Sequence, residues 1–177
     1  MKIKCREMLL RTVHRWPYLL VMLGCVAADQ ISKYLVMAYL KPVGDYPLIP
    51  GIFHLTYVEN SGAAFGMFAN ARWLFMVASA VAIVLLFVVL LVWHPMRPLC
   101  GIALAMVCGG GIGNMIDRIL LGYVVDFLNA ECIRFAVFNI ADSFVCVGVG
   151  LLILYMFLFE YKENKKRPAK GQEDPHV

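Results

Sequence analysis

The sequence predicts a mainly α-helical integral membrane protein, with four transmembrane helices and a small extracytoplasmic layer containing β structure. Three observations predict this class. Of the 177 residues, 62% are hydrophobic and only 16% charged, against ~45–50% and ~25% in a soluble domain. Four apolar runs approach or exceed the ~20 residues that a helical span needs. Lys and Arg are sorted between alternate loops, as the positive-inside rule requires. The same composition excludes a water-soluble globule and a disordered chain. A net charge of +4 does not call for a nucleic-acid partner.

The elements follow in order. The first run, residues 16–40, contains Asp29 and Lys33; at ~1.5 Å per residue it is long enough to cross a ~30 Å hydrocarbon core. It follows a basic N-terminal segment, but without a small-residue cleavage site, so it reads as a retained span rather than a signal peptide. Residues 41–72 hold Pro42, Pro47 and Pro50 and then the β-leaning Phe53-His54-Leu55-Thr56-Tyr57-Val58, which predicts a strand-bearing layer at the membrane surface. Residues 73–93 are uncharged and carry Trp73 and Trp93 at their ends, as interfacial anchors should. Residues 99–118 form a glycine-rich third span and residues 140–159 a fourth. Together, residues 1–161 read as one membrane domain, and the polar tail 162–177 as disordered.

Eleven basic residues fall on the side of the two termini and the short loop at Arg97, against four on the other side. Both termini are thereby expected in the cytoplasm, and an even number of spans agrees. The six cysteines form no CxxC pair, so a zinc or thioredoxin-like reading is weak. Cys25, Cys100, Cys108 and Cys146 lie in apolar stretches and are expected as small buried residues.

Ionisable groups at membrane depth are expensive and mark either function or a paired contact. Asp29 and Lys33 are four apart with the acid first, the favourable helical pairing. Gly109-Gly110-Gly111 with Gly113 lacks the Gly-Lys-Ser/Thr ending of a phosphate loop, and Gly109 and Gly113 form a GxxxG pair suited to close helix packing. Asn114 and Arg118 share one helical face. Asp126 follows the third span and Asp142 begins the fourth, so a hairpin-like turn brings both carboxylates to the outer face. Two carboxylates in one site divide their protons, leaving an acid and a base, which is what activation of water requires. His14, His54, His94 and His176 offer no Ser-His-Asp set, and two Asp alone are too few ligands for a metal. A purely structural pair bonded to Arg118 or Asn139 stands level with this reading on the residues alone. A proton-coupled transporter is the competing class, although its ionisable site is expected near the midplane.

Five blocks carry a resemblance to the lipoprotein signal peptidase (signal peptidase II) family of bacterial membrane aspartyl proteases. They are Asp29-Gln30-Ile31-Ser32-Lys33, residues 60–65, Gly109-Gly110 through Gly113-Asn114 to Asp117-Arg118, Val125-Asp126-Phe127, and Phe138-Asn139-Ile140-Ala141-Asp142. The resemblance implies that Asp126 and Asp142 are the catalytic dyad. It implies that Asn60, Asn114, Arg118 and Asn139 line or order the pocket, that Asp29 and Lys33 support it, and that Gly110 allows a close approach. The implied reaction removes the signal peptide from diacylglyceryl-modified prolipoproteins before the lipidated cysteine, with no metal or cofactor. The expected partners are those substrates and membrane lipids, and the expected unit is a monomer in the bacterial inner membrane. The sequence departs from the family in having Ile133 where many members carry Trp, which bears on the local shape of the substrate gate.

Overall fold

A computed structural model describes residues 15–62, 72–92, 97–133 and 135–166. Expectations resting on the N-terminal segment before Arg15, on residues 63–71, on Trp93 and on the end of the tail lie outside the described residues. Helix α1 spans Trp16–Leu35 and widens into a π-helical turn, Val36–Leu40. Pro17 stands in its first turn, where the missing N–H costs nothing. Strands β1 (Asp45–Ile49) and β2 (Phe53–Asn60) follow, then helices α2 (Arg72–Val92) and α3 (Pro98–Leu120), strand β3 (Val124–Asn129) and helix α4 (Ile140–Lys166). The fold is thus mainly helical with a small antiparallel sheet, as expected.

Trp16–Leu40, Pro98–Leu120 and Ile140–Phe159 are long and apolar enough to cross a membrane. The apolar stretch described in α2 is the shorter Met76–Val92. Outward faces of the helices carry large apolar side chains such as Leu20, Leu23, Leu85 and Phe157, whereas Asp29, Lys33, Asp126 and Asn139 are among the fully buried side chains. Apolar groups outside and satisfied polar groups inside is the arrangement a lipid solvent favours.

Two contacts align one end of the bundle. Arg15, just before α1, donates to the Leu90 carbonyl near the end of α2. Gly101, at the start of α3, faces the Tyr18 ring, which a Cβ there would meet at 2.5 Å. The glycine run of α3 lets three helices close on it. A Cβ at Gly109 would stand 2.7 Å from Cys25 Cβ and 2.8 Å from the Met22 carbonyl of α1, while Gly113 faces Asp29 and Gly111 faces Ile83 of α2. The GxxxG pair therefore packs helices, as expected. Gly110 faces the Ala141 carbonyl and Val145 of α4; its close approach joins α3 to α4. Gly110→Ala is accordingly expected to part these helices and destabilise the fold by about 1–3 kcal/mol, read as a lowered unfolding midpoint in detergent.

The sheet has the order β1-β2-β3, antiparallel throughout. Strand β3 lay outside the sequence expectation, which placed a turn here. Of its six residues, Val-Val-Asp-Phe-Leu-Asn, three are β-formers, and its first four are all buried. A segment buried on both faces shows no alternation, which removes the usual signal for a strand. Gly122, at φ +93°, takes the chain out of α3 in a conformation that L side chains rarely adopt. A small apolar core of Val36, Leu40, Val125 and Phe127 seats the sheet on α1. Of the cysteines expected to be buried, Cys25, Cys100 and Cys108 are, but Cys146 is exposed; it lies on the side of α4 that faces an open cavity, not a neighbouring helix.

Candidate active site

Local sequence prepares one half of the site. Asn139 precedes α4, and its Oδ1 accepts the Asp142 N–H at 2.9 Å, while Asp142 Oδ2 accepts the Asn139 N–H at 3.2 Å. This is a reciprocal capping box, Asn-x-x-Asp in place of the common Ser/Thr-x-x-Glu. It satisfies two backbone donors at the start of the helix and fixes the Asp142 carboxylate there. Ser143 Oγ adds a bond to the Asn139 carbonyl at 3.0 Å.

Sheet pairing prepares the other half. In the β2–β3 register Val58 lies opposite Asp126 and Asn60 opposite Val124, so Asn60 and Asp126 are diagonal neighbours on one face. Asn60 Nδ2 donates to Asp126 Oδ2 at 2.8 Å. Its own Oδ1 accepts the Gly62 N–H at 3.1 Å, which sets the direction of the amide.

Asn139 joins the halves. Its Nδ2 donates to Asp126 Oδ1 at 2.7 Å and to Asn114 Oδ1 at 3.0 Å. Asn114 Nδ2 in turn donates to Asp142 Oδ1 at 2.7 Å. Arg118 Nη1 donates to the Asn114 carbonyl at 3.3 Å, and both side chains line the site, as their shared helical face predicts. Every oxygen of both carboxylates therefore accepts a donor, and those donors come from β2, α3 and the α4 cap.

Asp126, Asp142, Asn60, Asn114 and Arg118 open onto one cavity of about 560 Å³, within the range of ~300–1,000 Å³ typical of ligand pockets. Its remaining wall is mostly apolar, with Phe135, Val137, Phe138 and Val147. Asp126 is 2% exposed. That burial pushes its carboxyl up to about 6, and the charge of Asp142 adds to the rise. The amides of Asn60 and Asn139 and the charge of Lys33 act against it.

Behind the cavity lie the remaining expected residues. Lys33 Nζ is 2.9 Å from Asp29 Oδ2 and 2.9 Å from Asn114 Oδ1. Gly110 is the one expected site residue that faces neither the cavity nor these side chains; it packs on α4. Sequence reasoning passed over Asp117 and Gln30 as site residues. Asp117 Oδ2 lies 2.9 Å from Lys33 Nζ, and Gln30 Nε2 bridges Asp29 Oδ2 at 3.1 Å and Asp117 Oδ1 at 3.0 Å. Asp117 is an ionisable residue at membrane depth, which was the signal available. The cavity wall at residues 135–137, with Cys146, carried no motif; Phe138 was named only as part of a block.

The chain as a whole is similar to proteins of one family. Residues 21–158 match the family model described as signal peptidase (SPase) II. The lipoprotein signal peptidase of Brevibacillus brevis is 41% identical over 150 residues, covering 85% of this chain and 99% of that relative. The lipoprotein signal peptidase of Caldanaerobacter subterraneus is 47% identical over 135 residues, covering 76% and 91%. A bacterial membrane enzyme solved by the in meso method at 2.3 Å resolution superposes with a TM-score of 0.77 at 29% identity. That match covers 87% of this chain and 94% of the other.

Proposed function

The chain belongs to the signal peptidase II family, and from that premise and the geometry of its cavity we propose a membrane aspartic endopeptidase. It removes the signal peptide from diacylglyceryl-modified prolipoproteins by cutting before the lipidated cysteine. The observation that carries the reading is the bonding of Asn139 to both Asp126 and Asp142 at the edge of one cavity. The apolar wall suits a lipidated substrate, and the carboxylates suit an attacking water.

Asp126, whose carboxyl burial has raised, holds the proton that the pair shares at rest. Asp142, held by two donors, serves as the base. It takes a proton from water, whose oxygen bonds to the scissile carbonyl carbon, while the Asp126 proton passes to the carbonyl oxygen. Breakdown of the tetrahedral intermediate returns that hydroxyl proton to Asp126 as the carbonyl re-forms. The proton on Asp142 goes to the departing nitrogen, the C–N bond breaks, and the dyad is restored. Arg118 and Asn114 flank the same cavity and orient the substrate and Asp142. Incubating the purified protein in detergent with a diacylglyceryl-modified precursor tests the activity. Mass spectrometry should find a mature chain beginning at the lipidated cysteine, and an uncut precursor from folded protein would sink the proposal.

This assignment makes a pH prediction. Loss of the Asp126 proton produces the alkaline limb of kcat/KM, which reports the free enzyme. Substrate filling the cavity strips water from the carboxyl and raises it further. The alkaline limb of kcat is therefore expected at higher pH than that of kcat/KM. Coincident or reversed limbs in a pH–rate series count against Asp126 as the acid.

In topology, α2 supplies the fourth span, its end meeting the start of α1 at the Arg15–Leu90 bond. Both termini lie in the cytoplasm, and the sheet and cavity lie at the outer face. A tag on the C-terminal tail should be shielded in intact cells; its accessibility from outside would overturn this orientation.

A further inference from the structure

We propose that Lys33 is a positioning residue that sets the relative placement of Asp126 and Asp142 through two buried acids, Asp29 and Asp117. The inference rests on the dyad reading above. Lys33 is 1% exposed, and its ammonium stands 2.9 Å from each of three acceptors, Asp29 Oδ2, Asp117 Oδ2 and Asn114 Oδ1. Three protons meet three partners, which leaves the ammonium fully satisfied.

Each partner leads in one further bond to the dyad. Asp29 Oδ1 accepts the N–H of Ala141, the residue before Asp142, at 3.0 Å. Asp117 Oδ2 accepts the N–H of Val125, the residue before Asp126, at 3.1 Å. Asn114 Nδ2 donates to Asp142 itself at 2.7 Å. One cation thus bridges two carboxylates, and each of those holds the backbone immediately preceding one dyad member. Gln30 ties the same two acids a second time and adds a bond to the Gly113 carbonyl at 3.1 Å.

A buried ion cluster is a poor source of stability, since desolvation offsets much of the Coulomb attraction. What this cluster supplies is geometry. Its members come from α1 and α3, while the two backbones it holds belong to β3 and the start of α4. Asn139 and the Phe138–Leu128 bridge join those two segments directly, and the cluster holds the backbone before each dyad member a second time, from behind.

Lys33→Met removes the charge and keeps the length of the side chain. With the dyad out of register, kcat is expected to fall about 10²-fold, with KM within about threefold of wild type because the cavity wall is untouched. The limb assigned to Asp126 should also move to higher pH. Removing a nearby cation favours the protonated carboxyl; the fall in kcat at nearly constant KM is the change that loss of charge or of stability alone would not produce. Asp117→Asn is the second variant. It removes the charge paired with Lys33 and leaves one acceptor oxygen, so an amide donor must face either Gln30 or the position that Lys33 and the Val125 N–H share, and a fall in kcat of at least about tenfold is expected. Wild-type kcat in folded Lys33→Met overturns the proposal, whether or not the limb moves. If that variant does not fold, wild-type kcat in Asp117→Asn overturns it. Asp126→Asn run in parallel separates the two levels. Should it still cleave, the dyad reading falls and this inference with it; if it is inactive while Lys33→Met behaves as wild type, only the role of Lys33 fails.

Discussion

Asp126→Asn and Asp142→Asn are each expected to lower cleavage of a diacylglyceryl-modified precursor by about 10³-fold or more, within the range that a lost general acid or base accounts for. The substitutions keep volume and one acceptor oxygen, so the hydrogen bonds that seat each side chain survive in part. What they remove is the ability to exchange a proton. The two groups act as one unit, so the double variant should be little worse than either single one. Cleavage within tenfold of wild type in either single variant defeats the assignment. The fold offers its own control through Asp126. Its raised carboxyl means that the folded chain keeps a proton which the unfolded chain releases near pH 4. The stability that this proton contributes is complete below about pH 4 and is lost as pH rises through about 6. Asp126→Asn cannot titrate, so this part of the pH dependence of unfolding should vanish while the protein remains folded.

Asn139→Ala is expected to damage both stability and rate. Asn139 is fully buried, and its side chain serves the α4 cap, Asp126 and Asn114 at once. Truncation strips the Asp142 N–H and Asp126 Oδ1 of their partner, and each buried orphan costs ~1–3 kcal/mol. The total loss should be about 2–4 kcal/mol, read from unfolding in detergent, with kcat down about 10²-fold. Asn139→Ser separates the two roles. A serine hydroxyl caps the helix but is too short to hold Asp126 as well, so stability should largely return while kcat stays low. Full recovery of kcat in Asn139→Ser would show that the link to Asp126 is dispensable.

Much of the helical frame was legible because it rests on local patterns. The apolar runs, the Asp29–Lys33 spacing and the GxxxG pair each depend on residues within a turn or two of one another. The Asn139-x-x-Asp142 cap is equally local, and the pattern of a capping residue before an apolar run was there to be read. Strand β3 was not legible, since its partner β2 lies more than sixty residues earlier and burial on both faces erased its alternation. Asp117 stood out as an ionisable residue at membrane depth, but its role was not legible because its partners Lys33, Gln30 and Val125 come from elsewhere in the chain.

By itself, then, the sequence determined the solvent of this protein, its helices, and which few polar residues enter the membrane region. Those properties follow from transfer free energies and helical spacing, which act residue by residue. Only the tertiary structure decided that Asp126 and Asp142 share one asparagine, and that one lysine anchors the backbone before each of them. Hydrogen bonds and ion pairs act over about 3 Å, and nothing in the linear order brings such distant residues within that reach until the helices and the sheet have packed.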